Sequence, residues 1–163
     1  MNQNPNMIEY GTEDYKVFAE ALHVINEYLA KKIAGDGEGC TALFEVQAVG
    51  CGSIAQAKTL AKSIVCSNLT KTAIAGHDAN WGRILCALGY SGVQFDPEVV
   101  DLYFESAAGK MMIIKDGVAV DYSEEEFLEH LKKHKNSSAV SFLYYSIFLT
   151  LLAKNKSTKI QAA

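Results

Sequence analysis

Apolar residues recur at three- and four-residue steps from Tyr15 through Phe18, Ala19, Leu22, Ile25 and Leu29 to Ile33. That spacing gathers them on one side of a helix. Thr12 stands where a helix N-cap belongs, with Glu13 and Asp14 in the first turn, where the helix dipole favours negative charge. Lys31 and Lys32 fall in the last turn, and Gly35 can end it. Over residues 41–49 the period drops to two. Phe44, Val46 and Ala48 share one face while Glu45 and Gln47 point the other way, which predicts a strand. Gly50 to Gly52 break it. Ser53 can then cap a second helix to about Ser67, with Ile54, Ala57, Leu60, Ala61, Ile64 and Val65 inward.

The short apolar run "KTAIAG", residues 71–76, predicts a buried strand. "HDANWGRILCALGYSG", residues 77–92, opens as loop and becomes a helix near Asn80. From Val99 onward the pattern turns to strands: "VVDLYFES", "KMMII" and "VAVDY". Asp116-Gly117 between the last two is a hairpin signal, because both residues tolerate a positive φ. Ser123 with Glu126 forms a capping box and predicts a helix to about Lys135. Helices alternate with strands first, and strands pair locally afterwards. The expected class is therefore α/β, a layered α/β sandwich with a mixed sheet.

Composition leaves this picture in place, with 49% hydrophobic and 21% charged residues, an ordinary globular balance. A net charge of -4 argues against a nucleic-acid partner. The charge is uneven, however. Residues 130–163 hold six lysines and no Asp or Glu, so the rest of the chain is strongly acidic. Within that stretch, "AVSFLYYSIFLTLLA" is uncharged over residues 139–153. It falls short of the roughly 20 residues that a spanning helix needs. A marginal membrane span, a buried helix, an apolar appendage and a segment of foreign origin all remain open. No basic and apolar leader is visible at the N-terminus, which fits a cytoplasmic chain.

The candidate chemistry is sparse. Cys40, Cys51, Cys66 and Cys86 form no C-x-x-C pair, so buried or half-buried free thiols are expected and no metal site. His130 and His134 lie four apart on a lysine-rich segment with no acid between them, which fits a solvated face better than a zinc site. His23 and His77 have no local partner, and no nucleophile–base pair is apparent. Two polar loops stand out. "GDGEG", residues 35–39, fits a turn between helix and strand in which glycine supplies positive φ. The same glycines also leave Glu38 free to point into a cleft, where a carboxylate suits a substrate ammonium. In "HDANWGR", Asp78 or Asn80 can cap a helix, Arg83 can serve structure and Trp81 can join the core. The alternative is a rigid polar loop beside a cleft.

Four segments resemble the ornithine acetyltransferase family, also called glutamate N-acetyltransferase. They are "DGEGCT" at Asp36, "SNLTKTA" at Ser67, "GHDANWGR" at Gly76 and "ALGYSG" at Ala87, in family order and spacing. The resemblance runs from about Asn4 to about Glu129. It implies a bifunctional enzyme of arginine biosynthesis that moves acetyl from N-acetylornithine to glutamate, in some members also from acetyl-CoA. It implies ping-pong catalysis by an N-terminal threonine released by self-cleavage. It also implies cytoplasmic hetero-oligomers of α and β chains, with no cofactor beyond acetyl-CoA as a substrate. The family glutamate that binds the amino-acid substrate falls on Glu38.

The departures shape the remaining expectations. In family members the threonine lies upstream of the helix that begins here at Thr12, and the oxyanion-hole residues belong to the α chain. The expectation is thus a β-chain core over 1–135 that carries no catalytic residue of its own, keeps Glu38 for substrate and stays inactive alone. The family's closing W-G-C-D-L-T segment does not appear. Residues 136–163 are expected to form a divergent, lysine-flanked apolar tail. The competing expectation is a non-catalytic product whose tail associates with membranes.

Overall fold

The computed structural model describes residues 7–40, 42–78, 80–132, 143–151 and 159–162, with side chains through residue 129. These divide into two compact units, residues 1–37 and 38–163. The first unit is essentially one helix, α1 (Glu13–Gly35). Its start follows from the sequence: the Thr12 hydroxyl accepts a hydrogen bond from Tyr15 N at 3.2 Å. Asp36 follows as the C-cap and donates its N–H to the Ile33 carbonyl. Lys31 and Glu27 pair across one turn at 2.7 Å. Among its described residues α1 is the one regular element, and Phe18, Leu22, Ile25 and Leu29 are exposed.

The second unit is built on a six-stranded mixed sheet. Its strands are β1 (Ala42–Val49), β2 (Val100–Ser106), β3 (Gly109–Lys115), β4 (Val118–Ala119), β5 (Leu143–Leu151) and β6 (Lys159–Ala162). They lie in the order β4-β3-β2-β5-β1-β6. β1 pairs parallel with β5 and antiparallel with β6, while β2 pairs antiparallel with both β5 and β3. The mixed α/β class is as expected. The segment read as an apolar tail supplies the central strand β5 rather than a helix or a span. Among the described residues no helix is long and apolar enough to cross a membrane.

Helices α2 (Ile54–Cys66), α3 (Asn68–Ala75), α4 (Trp81–Gly89) and α5 (Glu124–Lys132) complete the unit, with a 3-10 turn at Pro97–Val99. Ser53 caps α2 as predicted, and the Gln56 side chain returns the favour by accepting from Gly52 N at 2.7 Å. Ile54, expected inward, is 57% exposed, because it occupies the first turn before the helix meets the sheet. The predicted strand over 71–76 is α3 instead. Ser67 ends α2 and at once caps α3, accepting from Thr70 N at 3.2 Å. Ala73 and Ile74 are buried as helix residues. Ser123 bonds Glu126 N at 3.4 Å, which opens α5 where the capping box predicts. The expected continuation of α5 to Lys135 lies outside the described residues.

The core gathers Val46 and Ala48 of β1, Leu60 and Ile64 of α2, Ile84 and Leu88 of α4, Leu102 and Phe104 of β2, and Phe127 of α5. Phe104 and Phe127 meet edge to face at 4.9 Å between centroids, the arrangement that aromatic quadrupoles favour. The off-core face of β1 is less open than alternation suggests: Glu45 is 4% exposed and accepts from Gln47 Nε2 at 3.1 Å.

At the Asp116-Gly117 turn the prediction is fully met. Both residues have positive φ, 47° and 75°. The buried Asp101 carboxylate accepts from Asp116 N, and Gly117 N donates to the Val100 carbonyl, each at 2.9 Å.

Candidate functional site

Glu38 stands in the short connection that leads into β1, and its side chain is exposed. Only Gly39 in this loop requires glycine's freedom, with φ 71°. Gly35 is the buried last residue of α1, so the bend is shared less evenly among the glycines than the sequence suggests. Cys40 closes the loop, its thiol donating to the Ala42 carbonyl at 3.3 Å.

The pairing register fixes which end of the sheet carries Glu38. Glu45 of β1 and Glu105 of β2 both lie level with Ser146 of β5, and β2 runs against β5 while β1 runs with it. The β2–β3 turn at Ser106 and Gly109 therefore sits at the end where β1 begins, beside the Glu38 connection. Asp116 and Gly117 mark the opposite end. α2 starts from that opposite end, after Gly50 to Gly52, and returns along the sheet. Gln56 near its start donates to the Gln94 carbonyl, while Ser63 near its end donates to the Ala87 carbonyl. Arg83 in the first turn of α4 reaches Leu69, just past the end of α2, while Ala87 near the end of α4 meets Ser63, so α4 runs counter to α2. Its first residue, Trp81, lies toward the end of the sheet that carries Glu38.

The residues before α4 form a connected polar group. Arg83 Nη1 donates to the Leu69 carbonyl at 3.2 Å and to Thr72 Oγ1 at 3.0 Å, which ties α4 to α3. Its other terminal nitrogen lies 3.7 Å from the Asp78 carboxylate. Asn80 occupies the cap position but makes no cap bond; its amide donates to Asp78 Oδ2 at 3.3 Å instead. The structural reading of Arg83 is thus right and that of Asn80 as a cap is not. His77 holds φ 53°, a conformation that non-glycine residues adopt rarely.

Tyr122 was invisible as a partner from sequence, because nothing local links it to Trp81. Its phenol is hydrogen-bonded to Trp81, and both rings pack against the core. Burial raises the Tyr122 pKa, the Glu124 and Asp78 carboxylates add to the rise, and the Trp81 hydrogen bond opposes it. Tyr122 also leans on Phe127, with centroids 5.6 Å apart.

The remaining sequence candidates do not converge here. Cys51 is buried, and burial pushes its thiol pKa up. Cys40 is half-buried, but Cys66 and Cys86 are exposed, against the expectation of sheltered thiols. Among the described residues no cluster of His, Cys, Asp and Glu could hold a metal. His134 lies outside them.

Comparison with known proteins decides the family. The model of the ArgJ family matches residues 2–154. The chain belongs to the ArgJ family. That match continues through β5. The protein named arginine biosynthesis bifunctional protein ArgJ from Thermotoga neapolitana is 45% identical over 128 residues, 78% of this chain and 32% of that relative. Its namesake from Caldanaerobacter subterraneus is 46% identical over 126 residues, 77% of this chain and 31% of that relative. The chain thus spans about a third of the length of the curated ArgJ proteins it matches. The crystal structure of ArgJ from Bacillus halodurans superposes with a TM-score of 0.75 at 36% identity, over 96% of this chain and 68% of that one.

Proposed function

We propose that this chain supplies the β-chain core of an ArgJ-type acetyltransferase, within an enzyme that moves acetyl from N-acetylornithine to glutamate. Membership of the ArgJ family carries this reading, since the relatives it matches are named as bifunctional arginine-biosynthesis proteins. In it, Glu38 receives an ammonium group of the amino-acid substrate. An exposed carboxylate on a glycine-flanked turn is free to do so, and a charge-assisted hydrogen bond to ammonium is roughly twice as strong as a neutral one. The acyl carrier of that enzyme is an N-terminal threonine. An α chain and a second β chain complete the assembly, acetyl-CoA serves as an alternative donor, and the enzyme works in the cytoplasm. On this reading the core extends past the expected boundary at residue 135 into β5, which pairs with β1 and β2 inside the stretch that the family model matches. The competing idea of a membrane-associating tail is less well supported, since β5 pairs along its length with β1 and β2. Calorimetric titration of the full chain with N-acetylornithine tests the reading. Binding that weakens about tenfold or more in Glu38→Gln is expected. Equal binding by the two proteins would remove Glu38 from the account.

A further inference from the structure

Helix α1 carries an apolar face that its own unit leaves uncovered. At about 3.6 residues per turn, Val17, Phe18, Leu22, Val24, Ile25 and Leu29 fall within roughly half of the helix circumference, and all are exposed. Single exposed apolar residues are ordinary, but a continuous face of this kind marks a surface that meets a partner. We infer that this face docks against the same face of a second copy of this chain, with the two α1 helices antiparallel. The inference is read from α1 alone and stands apart from the acetyl transfer proposed above.

The charges of the helix identify the occupant. Glu13, Lys16, Glu20, Glu27 and Lys31 lie on the other side of α1. Most of them are paired there, Lys16 with Glu13 at 2.9 Å and Lys31 with Glu27 at 2.7 Å. Asp14 and Lys32 are different. They stand about five whole turns apart, so both fall on the apolar face, one at each end, and both are exposed. Neither forms an ion pair among the described residues, and Lys32 holds its ammonium 5.6 Å from the Tyr28 ring centroid. A negative charge at one end of an apolar face and a positive charge at the other make that face self-complementary under a two-fold rotation. An antiparallel second copy sets Asp14 against Lys32 twice, once at each end. A parallel copy sets Asp14 against Asp14 and Lys32 against Lys32, and both pairs repel. In the antiparallel register Phe18 lies level with Tyr28 of the second copy, and the small Ala21 lies level with Ile25. The opposed helix dipoles add to the preference.

The test uses the full chain. Sedimentation equilibrium across a concentration series reads the association, and a zero-length carbodiimide reagent joins carboxylates to ammonium groups in contact with them. Asp14 and Lys32 of one helix are roughly 27 Å apart along its axis, so a bond between them can form only between two copies. The expected result is a concentration-dependent dimer whose cross-linked form yields an Asp14–Lys32 peptide pair. Asp14→Lys and Lys32→Asp should each weaken association about tenfold, because each sets two repulsive contacts in place of two attractive ones. The variant carrying both changes should return to within about threefold of wild type, which a loss of folding would not allow. A chain that is monomeric at every concentration, including one that associates only with the rest of an ArgJ protein, would overturn the inference. So would a dimer without the Asp14–Lys32 cross-link, or a double variant that associates as weakly as the single ones.

Discussion

Replacing Gly117 by alanine should be far more damaging than the same change at Gly39, although both glycines have similar positive φ, 75° and 71°. The left-handed conformation costs an alanine about 1 kcal/mol at either position. The surroundings differ. A Cβ on Gly39 would meet nothing within 4 Å. A Cβ on Gly117 would overlap the Pro97 carbonyl oxygen and lie 3.0 Å from Glu98 Cα and 3.2 Å from Pro97 C. All three are backbone atoms, so no rotamer change relieves the clash. The turn cannot drift away either, because Gly117 N is bonded to the Val100 carbonyl and Asp116 N to the Asp101 carboxylate. Forcing one extra methyl into such a place typically costs 1–3 kcal/mol, so Gly117→Ala should lose about 2 kcal/mol more than Gly39→Ala. In a domain of this size that is about 4–8 °C in melting temperature. Thermal and urea unfolding of the two variants, read by circular dichroism, measures the difference. Equal losses would refute the packing of the Pro97 turn against the hairpin.

Further outcomes follow from other parts of the structure. Phe127→Ala should cost about 3–5 kcal/mol, since the ring is fully buried against Phe104 and Tyr122; a loss under 1 kcal/mol in denaturant titration would contradict the packing of α5 on β2. Alkaline pH should destabilise the chain. Folding raises the Cys51 thiol above its ordinary 9.0 and the Tyr103 and Tyr122 phenols above 10.0, chiefly through burial. The unfolded chain then releases these protons first, so stability is full below about pH 9 and falls as pH rises beyond it, which melting curves across that range check. At neutral pH a thiol reagent should label Cys66 and Cys86 quickly and Cys51 only on unfolding; rapid labelling of Cys51 would place it outside the core.

Where local chemistry decides, the sequence could be read directly. Thr12, Ser53 and Ser123 cap the predicted helices, and Asp116-Gly117 turns the predicted hairpin. Reading failed where a decision was shared between distant parts. The run at residues 71–76 is too short for periodicity to separate strand from helix. Its outcome is set by Ser67, which ends one helix and begins the next. β5 was unreadable for a different reason. A strand flanked on both edges in a sheet covered by helices reads as a continuous apolar run, and its partners β1 and β2 lie far upstream. The role proposed for Glu38 rests on its motif, and the Trp81–Tyr122 contact was not legible at all, because it joins two segments that share no local pattern.

A chimera in which residues 7–129 of this chain replace the matching part of the Bacillus halodurans ArgJ protein puts the central claim to the most direct trial. Acetyl transfer from N-acetylornithine to glutamate should survive the exchange and fall about tenfold or more when Glu38→Gln is added. A folded chimera that transfers acetyl equally well with and without Glu38 would contradict it.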